Sequence, residues 1–324
     1  SGAAPILFTM FMVIIVSLIA VGFATLVRND QRATLDKTLS NQAQYAAESS
    51  INKVRAAILA GTITTNSKSD CSGQPTSSVT SQKPTFATSG IQVSCLTWDL
   101  SPDALVKNPL TTDGPWSTMV EPTSAANIGS LVFEWSPINA ANNGQYASST
   151  SLPDITSGKA PVLKVVLANN TLASSTTMFL VPVTAGGGSA TAAQQGGIAN
   201  ASCSGSPLVC KAILNTLPGG NWSNGAGRGW MAVSTYGDQS SVRVTGFSNN
   251  NGGGSQAKFV GAQATIDATA RAQDVIKRLT ASVPLDSLTW RPGFSASADT
   301  LCKNFKVDSN TNAQPGPASG TVCP

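Results

Sequence analysis

Apolar residues fill the first 27 positions of the chain almost without interruption. Residues 1–27 carry no charged side chain, and from Pro5 onward nearly every position is apolar. A helix rises about 1.5 Å per residue, so this run is about 40 Å long as a helix, enough to cross a hydrocarbon layer of about 30 Å. The pattern predicts a helix that lies in a membrane or in another apolar environment.

A periodic pattern replaces the continuous one at Arg28, with no Gly or Pro to interrupt the helix before Gly61. Apolar side chains recur every three or four residues, which predicts that the same helix continues with one apolar face. The residues of this face are Leu35, Leu39, Ala43, Ala47, Ile51, Val54 and Ile58. Gly61 occupies a C-terminal capping position. One helix of about 60 residues, or about 90 Å, is therefore predicted, with an apolar half at 1–27 and an amphipathic half at 28–61.

The rest of the chain is patterned as a β-rich head. Its β-branched and aromatic runs, bounded by Pro, Asn and Gly, are typical of antiparallel strands. The predicted strands span residues 91–100, 131–135, 162–167, 177–183, 230–235, 241–247, 257–269 and 275–283, with a loop at 249–255. The run at 275–283 fits a helix or a strand, and we assign a strand. A stretch rich in Gly, Ala and Gln at 185–202 predicts a boundary between head parts 62–184 and 203–324.

Cysteine usage indicates an oxidising compartment. The chain has six cysteines and no histidine, and no Cys-x-x-Cys spacing suits zinc. Six cysteines allow fifteen disulfide connectivities, among which we expect pairing between sequence neighbours, Cys71–Cys95, Cys203–Cys210 and Cys302–Cys323. The predicted fold class is α+β, with a long N-terminal helical stalk packed on a disulfide-stapled head of mostly antiparallel strands.

The sequence contains only weak candidates for catalytic and metal-binding sites. The lack of histidine excludes Ser/His/Asp and Cys/His arrangements, so we predict no enzyme activity and no cofactor. Ser50 and Lys53 match the Ser-x-x-Lys pattern of acyl enzymes, but on a helix and without its companion motifs. Asp308, Asn310 and Asn312 copy the first oxygen ligands of a calcium loop. The Gly and Glu that such a loop needs are missing, and an Asx-rich turn is the alternative.

Tryptophans and basic residues are the remaining candidates for binding. We expect most of the six tryptophans in the core, but Trp222 and Trp230 flank a Gly-rich loop with Arg228 and are predicted as exposed contacts at a tip. Nucleic-acid binding would need a concentrated basic stripe. The head, with 15 basic and 13 acidic residues, offers only a weak one. Its members are Arg271, Lys277, Arg278 and Arg291. DNA is therefore a minor alternative as a partner.

The first 60 residues resemble the N-terminal stalk of type IV pilins and pseudopilins. The shared elements are a small N-terminal residue, a run of Ile, Leu, Val, Phe and Met, the break-prone Gly22, and an amphipathic continuation that lies on a β-rich head. In that family a peptidase removes a short basic leader, so the resemblance implies processing at Ser1 and a methylated N-terminus. Ser1 departs from the usual Phe or Met, and Pro5 replaces the Glu that pairs with a neighbour's terminal amine.

The resemblance implies a structural subunit of an extracellular filament that serves surface adhesion and motility. The implied partners are copies of the same chain, other pilins, the assembly machinery, the cytoplasmic membrane before assembly, and a host or neighbouring cell surface afterwards. Close packing in the filament core is expected at Pro5, Ser17, Ala20, Gly22 and Ala24. Gly22 also favours local unwinding of the helix between residues 17 and 25 in the filament, with a simple packing notch as the alternative.

Two other roles stay open at this point. The absent Glu is commoner among minor subunits, so the chain also fits a minor pilin or pseudopilin of a secretion or DNA-uptake apparatus. An ordinary single-pass anchor explains the apolar run equally well. The chain would then be a membrane-anchored extracellular protein.

Overall fold

One long helix precedes a head made of strands. The computed structural model describes residues 3–67, 83–84, 90–112, 114–123, 126–138, 145, 159–183, 197–205, 208–285, 305–309 and 312–315. The helix, α1 (Ala3–Leu59), has 57 residues. Across the described residues of the head, the regular structure is β strand, apart from a 3₁₀ turn at Gly225–Gly227. This architecture confirms the predicted helix and the β-rich head.

Helix α1 ends at the glycine that the sequence predicts. Gly61 has a φ of 70°, in the left-handed region that favours glycine. The Gly61 N–H donates to the Ile58 carbonyl at 3.0 Å, and the Thr62 N–H donates to the Ala57 carbonyl at 3.0 Å. This pair of bonds forms a Schellman motif, which satisfies carbonyls that the end of the helix would leave without partners.

Fifteen strands follow within the described ranges. They are β1 (Ile91–Asp99), β2 (Leu105–Leu110), β3 (Trp116–Val120), β4 (Ser130–Pro137), β5 (Val162–Asn169), β6 (Ser175–Pro182), β7 (Ile198–Ser204), β8 (Val209–Leu214), β9 (Gly229–Tyr236), β10 (Ser240–Phe247), β11 (Gln256–Ala257), β12 (Gln263–Ala272), β13 (Val275–Pro284), β14 (Phe305–Ser309) and β15 (Asn312–Pro315). The hairpin of β14 and β15 belongs to a separate compact unit, residues 290–324.

The other strands form two sheets. A three-stranded antiparallel sheet has the order β1-β12-β13, and a ten-stranded sheet has the order β11-β10-β4-β8-β7-β6-β5-β9-β3, with β2 also paired to β10. Every described pairing is antiparallel except that of β6 with β7. The two ends of the larger sheet meet: the Thr123 N–H donates to the Lys258 carbonyl at 3.0 Å and the Val260 N–H to the Glu121 carbonyl at 2.8 Å. The larger sheet therefore closes almost into a barrel.

The amphipathic half of α1 packs on the three-stranded sheet. Ala43, Ala46, Ala47, Val54 and Ile58 of the predicted apolar face or beside it are buried. They meet a sheet that is also rich in alanine, including Ala264, Ala268 and Ala270. Small side chains on both surfaces let the backbones approach closely, so alanine can fill this interface without cavities. The face begins later than predicted, because Leu35 is 61% exposed.

Most predicted strands are confirmed, with one error and several omissions. The run at 257–269 is wrong as one strand, because β11 and β12 belong to different sheets and the chain crosses between them at 258–262. Six further strands, β2, β3, β7, β8, β14 and β15, were not predicted from the sequence. β7 begins inside the stretch 185–202 that was predicted as a boundary, and it pairs with β6 before that stretch and with β8 after it. Strands from both sides of 185–202 therefore share one sheet.

A buried serine in β10 offers a prediction about stability. Ser240 is fully buried, and its hydroxyl has no hydrogen-bond partner. Because an unpaired buried hydroxyl is unfavourable, Ser240→Ala should raise the free energy of unfolding by about 1 kcal/mol. Ser130 in the paired strand β4 is equally buried, but its hydroxyl bonds to the Asn249 carbonyl and accepts the Gly252 N–H. Ser130→Ala should therefore lower stability by about 1 to 3 kcal/mol in the same urea titration, and equal effects of the two changes would contradict this assignment.

Candidate assembly surface

The N-terminal half of α1 has no covering structure. Every side chain from residue 10 to residue 38 is exposed. We call residues 10–27 the bare segment. Its large apolar side chains are Met10, Phe11, Met12, Val13, Ile14, Ile15, Val16, Leu18, Ile19, Val21, Phe23, Leu26 and Val27, each about half to two thirds exposed. Among the described helices, α1 alone is long and apolar enough to cross a membrane. The bare segment is far larger than the apolar patches of ordinary soluble monomers, so it marks a surface that another apolar phase covers.

The polar groups of the bare segment are satisfied by the helix itself. The Ser17 hydroxyl donates to the Val13 carbonyl at 2.7 Å, and the Thr25 hydroxyl donates to the Gly22 carbonyl at 2.8 Å. These two are the only hydroxyl side chains between residues 10 and 27. The segment therefore enters an apolar environment without leaving a side-chain polar group unpaired.

The small residues predicted for close packing face open space in the single chain. A Cβ added to Gly22 would meet no atom within 4 Å, and Ser17, Ala20 and Ala24 are exposed. No contact with the described residues therefore explains the glycine. The helix is continuous from residue 17 to residue 25, and unwinding within an assembly stays a prediction. Pro5 lies in the first turns of α1, where proline fits, whereas Ser1 is outside the described residues.

A band of charged residues follows the bare segment. It consists of Arg28, Asp30, Arg32, Asp36 and Lys37, all of them exposed. Charges of both signs at these positions end the part of α1 that is apolar enough to lie in a membrane. The buried face begins at Ala43, about two turns after Lys37. Along its length the helix thus presents three successive surfaces: apolar, charged and head-packed.

The prediction that Trp222 and Trp230 are exposed contacts is wrong. Trp222 is 2% exposed and Trp230 is 8% exposed. The Trp222 indole donates to the Pro218 carbonyl at 3.1 Å and lies so close over Gly229 that a Cβ there would overlap three ring atoms. Trp230 sits within β9, between Met119 of β3 and Ala168 of β5. Gly229 leaves the space for the indole ring, so the tryptophans that flank the loop belong to the interior.

Arg228 makes polar contacts that hold the Gly-rich loop between Trp222 and Trp230 in place. Its Nη1 lies 3.5 Å from Glu121 Oε2, and its Nε donates to Asn170 Oδ1 at 3.0 Å. The Glu121 side chain also accepts the Gly225 N–H at 2.9 Å. These bonds tie together three connections at one end of the barrel. Arg228 thus has a structural role in this loop, and because its side chain stays 37% exposed, its contact role stays a prediction.

Two of the remaining candidate residues, Ser50 and Arg278, bond to neighbouring groups in the described structure, whereas nucleic-acid binding stays a prediction. Ser50 is buried under the sheet, and its hydroxyl donates to the Ala46 carbonyl at 2.8 Å, so it cannot meet a substrate. Arg278 makes a two-point contact with Asp267, whose hydrogen bonds raise the pKa of the guanidinium. No cluster of potential metal ligands occurs among the described residues. In the predicted calcium loop, Asp308 and Asn312 lie in β14 and β15, and their side chains, with all of Asn310, are outside the described part.

One predicted disulfide is confirmed. Cys203 and Cys210 are bonded, and they lie directly opposite each other in the antiparallel pair β7 and β8. Cys95 in β1 is also disulfide-bonded. Its predicted partner Cys71, and the predicted pair Cys302–Cys323, lie outside the described residues. The closed loop from 203 to 210 reduces the conformational freedom of the unfolded chain between β7 and β8.

Comparisons with protein-family models, with curated proteins and with solved structures find no match to this chain.

Proposed function

We propose that this chain is a structural subunit of an extracellular filament of the type IV pilus kind, assembled through the bare segment of α1. The observation that carries the proposal is one continuous helix whose second half is part of the head and whose first half is apolar and uncovered. Before assembly the bare segment lies in the cytoplasmic membrane, and after assembly neighbouring stalks cover it. The exposed heads then form the outer surface of the filament and meet other surfaces.

Assembly explains the rigidity of α1 better than simple anchoring does. A tether needs only an apolar span and tolerates a flexible linker before the head. Here the span and the head share one helix, because residues 28–42 continue it without Gly or Pro. A rigid stalk fixes the position and rotation of every head relative to its own core segment. Helical packing of many copies requires that fixed geometry. The small residues without neighbours, Ala20, Gly22 and Ala24, further support close approach of other helices.

The experiment compares filaments and membranes of the producing cells. A photo-reactive phenylalanine at position 18 in the full chain should give a ladder of cross-linked multimers, and antibodies against the head should label sheared filaments along their length. The same probe at position 276, an exposed isoleucine of the head, is the control for nonspecific cross-linking. Recovery of the chain only as monomers in the membrane fraction of cells that display filaments would overturn the proposal in favour of a single-pass anchor.

A further inference from the structure

The barrel is nested between two neighbouring strands of the sheet that carries α1. β1 and β12 pair from Ile91 with Ala272 to Asp99 with Thr265. All strands of the barrel, β2 to β11, lie between them in the chain. The chain leaves the small sheet after β1, completes the barrel, and returns to the neighbouring position in β12. We call the described residues of 105–262 the inserted barrel, and α1 with β1, β12 and β13 the stalk unit.

Each of the two parts has its own hydrophobic core. The core of the inserted barrel draws its buried residues from positions between Leu105 and Ala262. The core of the stalk unit uses residues of α1 and of the small sheet, such as Val54, Leu96 and Ile266. The two sets share no member. A sequence segment that buries its apolar residues among themselves has the property of an independent folding unit.

The described contacts at the joint between the two parts include backbone hydrogen bonds, an ion pair and a buried amide. The two chain crossings run side by side, with the Phe259 N–H donating to the Pro102 carbonyl at 3.0 Å. An ion pair joins Lys258 to Asp103 at 2.9 Å between exposed side chains, and such pairs contribute little. The entry and the exit of the barrel are thus neighbours, as insertion of one domain into another requires.

One side chain at the joint is buried and makes two bonds. The Gln263 amide donates to the Val106 carbonyl at 2.7 Å and its oxygen accepts the Val106 N–H at 2.8 Å. The first residue of β12 thereby pairs with β2 as a further strand residue would. This amide is a specific, buried link between the two parts.

From this topology we infer that the inserted barrel is a separate module that presents the outer surface, whereas the stalk unit alone contains what folding and assembly of the stalk require. The folding part of the inference stands by itself. The assembly part rests on the proposed function. The partner of the stalk unit is a second copy of the same unit.

Hydrogen exchange on the full chain in detergent micelles tests the folding part. Leu163 in the barrel core and Ile266 in the stalk-unit core are both fully buried. Under mildly denaturing conditions, Leu163→Ala should raise amide exchange of β4, β5 and β9 by about 30-fold or more and leave β12 unchanged. Ile266→Ala should do the reverse. A joint rise in both parts with either variant would show one cooperative unit and overturn the inference.

A shortened chain tests the assembly part. Leu100 follows β1 and Ala264 lies opposite it, so a two-residue Asn-Gly turn can replace residues 101–263 as a tight hairpin. The shortened full-stalk chain should keep slow exchange in α1 and β12 and enter filaments at a level within about twofold of the complete chain. Loss of protection in β12, or exclusion from filaments that the complete chain forms, would overturn the inference. If the complete chain itself forms no filaments, the proposed function fails, and the exchange pattern of the two core variants still decides the module boundary.

A milder substitution at the joint gives a separate prediction. Gln263→Ala removes both hydrogen bonds to the half-buried backbone of Val106. The midpoint of urea unfolding should therefore fall, with the equilibrium constant for unfolding raised about 30-fold. Gln256→Ala is the matched control, because Gln256 makes one exposed bond, to the Asp103 carbonyl at 2.8 Å. It should change that constant less than about threefold. Equal effects at the two positions would contradict the role of Gln263.

Discussion

The double variant Val16→Asp, Ile19→Asp should no longer bind lipid vesicles, while its head stays folded. Each aspartate near the centre of a spanning helix costs about 3 kcal/mol relative to an apolar residue, so the two together cost about 6 kcal/mol. Both side chains are exposed in the bare segment and touch nothing in the head. The change therefore acts on the contact with the apolar phase alone.

Flotation with neutral vesicles measures this effect, and hydrogen exchange of β12 monitors the head. Val16→Leu, Ile19→Leu is the matched control, because it changes the same positions and keeps them apolar. It should float with the vesicles as the unchanged chain does. If the aspartate variant floated equally well, the bare segment would not be the membrane-contacting surface. If its head lost protection, residues 16 and 19 would have an unrecognised role in folding.

Gly229→Ala should lower the free energy of unfolding by about 3 kcal/mol or more. Gly229 begins β9, and an added Cβ would overlap three atoms of the Trp222 indole ring. The ring cannot swing away easily, because its N–H donates to the Pro218 carbonyl and its own backbone pairs with Ile128 in both directions. Insertion of a methyl group into a close-packed core of this kind typically costs 1 to 3 kcal/mol and sometimes more.

Two other glycines provide a graded control for this prediction. At Gly246 an added Cβ would lie 3.2 Å from the Ile128 side chain, so small shifts can accommodate it and the loss should stay near 1 kcal/mol. At exposed Gly114 it would meet no atom within 4 Å, and Gly114→Ala should be neutral. Urea unfolding followed by tryptophan fluorescence measures all three. A neutral Gly229→Ala would mean that the ring does not rest on this glycine.

Local signals explain which parts of this structure the sequence predicts. The helix and its end depend on an uninterrupted apolar period and one glycine, and both act within a few residues of where they occur. β10 and β13 have β-branched runs that identify them as strands. β2 lacks such a run, since its Lys-Asn-Pro centre is exposed and only its two ends are buried. It becomes a strand because β10 offers a partner.

Distant pairing explains what the sequence does not predict. β1 pairs with β12 because the chain between them folds into a closed unit whose two ends lie together. No local sequence pattern predicts this pairing. The error at 257–269 follows directly, since the crossing between two sheets interrupts an otherwise strand-like run. The tryptophan prediction failed for a related reason: a Gly-rich neighbourhood indicated exposure, whereas here glycine makes room for a ring. The sequence did hold a signal for burial: Gly229, the first residue of β9, leaves room for the Trp222 ring.

The nested topology also determines how the barrel withstands mechanical pulling. A domain at the end of a chain is connected to the rest of the protein by a single linker. One proteolytic cut in that linker releases the domain. The barrel has two covalent connections to the small sheet, one through residues 100–104 after β1 and one where the chain enters β12, and the two run side by side. A cut in either connection leaves the other intact, and a tensile load on the barrel divides between them. A barrel that is under mechanical load on a cell surface therefore stays attached after one of its two connections is cut.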